Sequence, residues 1–148
     1  MTARRGTPSG RRPADDGSAA LELVILAPVL LALLALVIAA GRVSVAQGSV
    51  DAAARDAARQ ASIALTPRAA KEAGRASAQA ALREDGLDCL PVVAVDTSQF
   101  AIPPGQPATV TASVSCSVPL ADLALPGLPG STRLTATFTS PLDIYRSR

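Results

Sequence analysis

An uninterrupted apolar run, residues 23–41, constrains this chain more than any other feature of its sequence. Glu22 and Arg42 close the run, and no charged residue lies between them. As a helix, about 19 residues span about 28 Å at ~1.5 Å per residue, close to the hydrocarbon thickness of a bilayer. The sequence therefore predicts one transmembrane helix.

The arginines around this run indicate its orientation. More of them precede it than follow it closely: Arg4, Arg5, Arg11 and Arg12 before, then Arg42, Arg55 and Arg59 after. The positive-inside bias then favours a cytoplasmic N-terminus and places the C-terminal part of the chain on the other side. We expect a single-pass protein of the cytoplasmic (inner) membrane with an extracytoplasmic C-terminus.

The residues on either side of the run differ in character. Residues 1–17 mix glycine and proline with arginine and aspartate and have nothing to bury, so they predict an unstructured basic leader. The residues after the run are rich in alanine, and the membrane helix is predicted to continue as an extension to about residue 65, giving a segment 18–65.

One face of this extension carries only small apolar residues at three- and four-residue steps: Val43, Ala46, Val50, Ala53, Ala54, Ala57 and Ala61. Asp51, Arg55 and Arg59 form a polar line at four-residue spacing. The small face predicts close packing, either against another helix or against the protein's own C-terminal domain.

Residues 66–148 predict a small extracytoplasmic αβ domain. Thr66 and Pro67 favour the start of a second helix, which Gly86 ends after about Asp85. Apolar residues alternate with hydroxyl residues in 109–118 and 134–139, and 90–95 is a shorter β-branched run. Together these segments predict three antiparallel strands. The expected fold class is α+β: a long N-terminal transmembrane helix, a short second helix, and a small antiparallel sheet of about three strands, with one face covered by the second helix or by the distal part of the first.

Cys89 and Cys116 are the only cysteines, and both lie in the part predicted to be exported. An oxidising compartment favours a disulfide between them. The alternative is two buried free thiols that act as small hydrophobic residues.

Several classes of function lack the residues they need. The chain has no histidine, which excludes Cys/His zinc sets and Ser-His-Asp or Cys-His catalytic pairs. No phosphate-binding glycine loop is present, and a net charge of +2 does not favour a nucleic-acid partner. We expect no catalytic residues, no metal and no cofactor.

The junction between leader and apolar run resembles a type IV prepilin cleavage site. Gly17 would be the last leader residue, Ser18 the new N-terminus and Glu22 the fifth residue of the mature chain. The alanine–arginine stretch 51–62 and the proline at position 28 are similar to those of TadE-like proteins, which belong to tight-adherence (Flp-type) pilus systems. Together these features cover about residues 11–62.

This resemblance implies a structural role. The chain would be a membrane-embedded minor pseudopilin or assembly component, in the membrane or in the filament. Its partners would be the prepilin peptidase, the pilus assembly platform, and other pilins or pseudopilins. Cleavage would create an α-amine at Ser18, and the carboxylate of Glu22 on a neighbouring subunit would pair with it and set the register of assembly.

Two other interpretations differ in where the mature chain begins. A secreted, non-enzymatic binding module would use the first forty-odd residues as a Sec signal sequence, because residues 44–46 resemble a small-residue cleavage pattern before Gln47. A single-pass anchored binding module would keep its leader. Glu22 would then be a boundary residue beside the headgroups.

Overall fold

The computed structural model describes the backbone of residues 15–87, 89–123 and 129–144, and within those ranges the side chains from Glu22 onward. The chain divides into two compact units, Met1–Val37 and Ile38–Arg148, and we call the second the head unit. The elements in chain order are α1 (Asp15–Ser62), α2 (Pro67–Glu84), β1 (Val92–Asp96), a 3-10 helix (Ser98–Ala101), β2 (Thr109–Pro119), α3 (Leu120–Leu123) and β3 (Ser131–Pro141).

The predicted fold class is confirmed. A long N-terminal apolar helix is followed by a shorter helix and by a three-stranded antiparallel sheet of order β1-β2-β3. The central strand, β2, pairs along its whole length with β3, from Thr109 opposite Pro141 to Pro119 opposite Ser131. The shorter β1 pairs with the middle of β2.

The two faces of the sheet differ as the alternation of residues predicts. On the inner face of β2, every second side chain is buried: Val110, Ala112, Val114, Cys116 and Val118. On the outer face, hydroxyl groups of β2 and β3 pair across the strands, with Oγ1 of Thr111 2.9 Å from Oγ1 of Thr139 and Oγ of Ser113 2.9 Å from Oγ1 of Thr137. The inner face alone therefore needs a cover.

Both helices supply that cover. The core of the head unit combines inner-face residues of the sheet with residues of α2 and with a continuous alanine-rich face of α1: Ala46, Val50, Ala53, Ala54, Ala57 and Ala58. A second cluster adds Ala61 of α1 and Ala70 of α2 beside Val110. The distal part of α1 is thus a core element of the head unit.

Local signals define both ends of α2. The side chain of Thr66 accepts a hydrogen bond from the backbone N–H of Ala69 at 3.2 Å, and Pro67 occupies the first turn. At the other end, Gly86 has φ +70°, and two backbone bonds complete a Schellman motif, from Gly86 N to Arg83 O (3.1 Å) and from Leu87 N to Leu82 O (2.9 Å).

The two helices approach each other closely at Gly74 of α2. A Cβ at this position would lie 3.0 Å from Cγ2 of Val95 in β1 and 3.1 Å from the carbonyl oxygen of Ala57 in α1. Ala61 lies beside the same point. Glycine here, opposite alanines, allows the backbones of α1 and α2 to approach each other while both pack on β1.

Element ends differ from the sequence expectation by a few residues, for identifiable reasons. The helix α1 ends at Ser62 instead of about residue 65, where the Ser62 hydroxyl donates to the carbonyl of Arg59 at 2.8 Å. The strand β1 begins at Val92 because Pro91 has no N–H to donate to the sheet. The 3-10 helix and α3 were not expected.

A disulfide joins Cys89, in the connection between α2 and β1, to Cys116 in the middle of the sheet. The Cα atoms are 5.9 Å apart, and the two residues are separated by 27 positions in sequence. Cys116 is buried, and Cys89 packs partly buried against the same core. The bond therefore ties the segment after α2 to the central strand.

We predict that Gly74→Val destabilises the head unit by about 1–3 kcal/mol, because the added side chain must displace the backbone of Ala57 or the side chain of Val95. Gly48→Val is the matched control, since a Cβ at Gly48 meets nothing within 4 Å. Denaturant unfolding of the full chain in detergent measures both. Equal stability of the two variants would contradict the close contact.

We also predict that reduction of the disulfide lowers the free energy of unfolding by about 3–4 kcal/mol, from the loop-closure entropy of a bond across this separation. Unfolding with and without a phosphine reductant measures the effect. The double variant Cys89→Ser, Cys116→Ser should be insensitive to the reductant. A wild-type chain that shows the same insensitivity would refute the prediction.

Candidate functional site

The candidate site is the start of α1, where the sequence places Gly17 and Ser18. The helix begins at Asp15, so Asp15–Gly17 are helical and the expectation of an unstructured leader up to Gly17 is wrong for these three residues. Residues 1–14 of the predicted leader lie outside the described residues.

Glu22 follows one helical turn after Ser18. Residues four apart share a face of a helix, with about 6 Å of rise between them. Glu22 is exposed, and in the described part of the chain no hydrogen bond or ion pair involves its carboxylate. Within the described residues, the Glu22 carboxylate is therefore exposed at the surface of the helix.

The helix surface beyond Glu22 is apolar on every side. All large apolar side chains from Leu23 to Ile38 are 48–73% exposed. A helix that is apolar all round is buried in a large core or lies in a membrane. This helix is long and apolar enough to cross a membrane, and Pro28 lies inside it without ending it.

Further along α1, the small apolar face has a partner within the same chain. Its residues from Ala46 to Ala61 are buried in the head unit. Of the two expectations for this face, the structure bears out packing on the protein's own domain. Arg55 and Arg59 of the polar line are exposed, and Asp51 accepts a hydrogen bond from Nε2 of Gln47 at 3.2 Å.

The Gln47 side chain was not singled out from the sequence, and it has a second contact. Its Nε2 lies 3.2 Å from the backbone carbonyl of Thr135 in β3. The strand β3 is at the edge of the sheet, where carbonyl groups have no neighbouring strand to bind. The bond satisfies one such carbonyl and joins α1 to β3. A single glutamine in the sequence does not predict such a contact.

The contacts of the other charged groups in the described ranges are local. Within the described ranges, no group of three or more histidine, cysteine or acidic residues could hold a metal ion. Arg68 and Glu72 form an exposed ion pair at 3.0 Å on one face of α2. The backbone N–H of Ser98 donates to the Asp96 carboxylate at 2.9 Å and holds the pKa of that carboxyl below its usual value. The side chain of Ser98 and the charge of Lys71 lower the same pKa further.

The predicted site residues therefore fall into separate units. Gly17, Ser18 and Glu22 belong to the N-terminal unit, whereas Cys89 and Cys116 belong to the head unit. An apolar helix with an exposed carboxylate near its start can insert in a bilayer and present that carboxylate to a partner. This arrangement supports anchoring and assembly.

Comparison with protein families agrees with this description. Residues 17–59 match the model of the TadE-like protein family. The resemblance seen in the sequence is thereby confirmed over this segment. The matched TadE-like segment begins at Gly17, includes Glu22 and the apolar run, and ends inside the part of α1 that packs in the head unit. No curated protein and no solved structure matches the chain.

Proposed function

We propose that the chain is a membrane-embedded minor pseudopilin of a tight-adherence type IV pilus. Its prepilin peptidase cleaves after Gly17, the helix stays in the cytoplasmic membrane or enters the filament, and the head unit lies outside the cytoplasm. The observation that carries the proposal is Glu22. It is an exposed carboxylate at the start of an exposed apolar helix, within a segment that matches the TadE-like model.

The physical role of Glu22 in this proposal is to set register. An ionised carboxylate among packed apolar helices is costly unless it is paired. Cleavage supplies the partner, a positive α-amine at Ser18 of a neighbouring subunit. Removal of one member of such a buried pair costs about 3–5 kcal/mol, so subunits with the correct stagger are strongly preferred.

The packing of α1 argues against secretion through a Sec signal sequence. Cleavage before Gln47 would cut next to Ala46, which is 4% exposed and packs in the core of the head unit. It would also place a new chain end at Gln47, whose side chain bonds β3. A structural role agrees with the match to the TadE-like family model.

The position of the N-terminus tests the proposal. We predict that protein from the membrane fraction begins at Ser18, as measured by intact mass and terminal peptide. Gly17→Val should leave the chain uncut, because a bulky side chain precedes the scissile bond, whereas Gly10→Val in the leader should be processed normally. A wild-type chain that begins at Met1 would contradict processing, and one that begins at Gln47 in a soluble fraction would favour secretion.

We also predict that Glu22→Gln leaves cleavage and membrane insertion intact but reduces co-isolation with pilus partners by at least tenfold, because the amide cannot neutralise the α-amine. Glu72→Gln, an exposed acidic residue of α2, is the matched control. Mild detergent extraction followed by quantitative mass spectrometry gives the readout. Wild-type recovery of partners with Glu22→Gln would assign Glu22 to the membrane boundary alone.

A further inference from the structure

A groove of about 440 Å³ lies in the head unit between α1, the end of α2 and α3. Its walls include the apolar residues Ile38, Leu87 and Leu123, and its charged lining residues are Arg42, Asp85 and Asp122. The volume falls in the range of small-molecule sites. An apolar surface with a few charged groups is typical of a site for an amphipathic ligand.

The three charged side chains are not paired with one another. In the part of the chain that the structure describes, no ion pair or side-chain hydrogen bond involves Arg42, Asp85 or Asp122. The groove therefore presents one cation and two carboxylates to whatever enters it. A ligand with both an anionic and a cationic group matches this set, and an apolar tail matches the walls.

The position of the groove along α1 indicates which molecules surround it. Ile38 and Gly41, which line it, are in the last part of the apolar run, and Arg42 is the first charged residue after that run. When the run spans a bilayer, as the proposed function requires, these residues reach the level of the lipid headgroups. The molecules present there at high local concentration are phospholipids.

We propose that this groove binds the headgroup of a zwitterionic phospholipid that carries a primary ammonium, with the phosphate on Arg42 and the ammonium on Asp85 and Asp122. The inference rests on the proposed function in that it requires the run to lie in the membrane. A guanidinium offers two parallel N–H donors to phosphate oxygens. A primary ammonium offers three N–H donors to carboxylates, whereas the quaternary ammonium of phosphatidylcholine offers none.

The test measures which lipid the full chain retains. The protein is placed in nanodiscs with equal amounts of phosphatidylethanolamine, phosphatidylcholine and phosphatidylglycerol, released, and weighed with its bound lipid by native mass spectrometry. We expect at least fivefold enrichment of phosphatidylethanolamine. Asp85→Asn with Asp122→Asn should remove the preference over phosphatidylcholine, and Arg42→Gln should remove lipid retention.

The matched control is Asp51→Asn with Arg55→Gln, which changes a carboxylate and a guanidinium on the same helix away from the groove. It should keep the wild-type enrichment. Soluble glycerophosphoethanolamine at millimolar concentration should fail to displace the lipid, because it lacks the acyl chains that contact the apolar walls. Displacement by this headgroup alone would overturn the assignment to a membrane lipid.

Other results would also overturn the proposal. If the three lipids were retained equally, the groove would not discriminate between headgroups. The same conclusion would follow if the groove variants kept the wild-type enrichment. A photo-crosslinker at Val45, which lines the groove, should capture lipid, and capture of a protein segment would assign the groove to another subunit. Fractionation separates the two claims: a membrane-bound chain without lipid preference refutes the lipid site alone, whereas a soluble chain refutes both.

Discussion

The head unit depends on the packing of one alanine-rich helix face against the inner face of a small sheet. Ala46 to Ala61 of α1 lie in the same core as the buried residues of β2, and α2 reaches that core by a close approach at Gly74. Small residues are needed because the backbone of Ala57, Gly74 and the side chain of Val95 meet at one point. The chain has few aromatic side chains, so close approach of the backbones replaces bulk as the means of filling space.

The two parts of α1 differ in their surroundings. From Leu23 to Ile38 it is apolar on all sides and exposed, as a membrane requires, and from Ala46 onward only one side is buried. The TadE-like match, residues 17–59, includes both parts. Within the head unit, Gln47 adds a polar bond from α1 to the edge strand.

The sequence predicts features that depend on residues close together in the chain. It does not predict features that depend on contacts between residues far apart in the chain. The alternation in 109–118 predicts β2, and Thr66, Pro67 and Gly86 predict the ends of α2, because each acts within one or two turns of the chain. The partner of the alanine face, the glycine contact at position 74 and the bond from Gln47 to Thr135 arise from residues far apart in sequence. At the candidate site, the order Gly17, Ser18, Glu22 is visible in the sequence, whereas the exposure of the Glu22 side chain becomes apparent from the structure.

Hydrogen–deuterium exchange of the full chain in nanodiscs tests most directly whether the distal part of α1 is a core element of the head unit. Lipid protects residues 23–38 in any case, so the informative amides are those of residues 46–61, outside the apolar run. The packing described here predicts that they exchange as slowly as the amides of β2, because both belong to one cooperative unit. Exchange at residues 46–61 that is orders of magnitude faster than in β2 would show a separate helix and contradict the account.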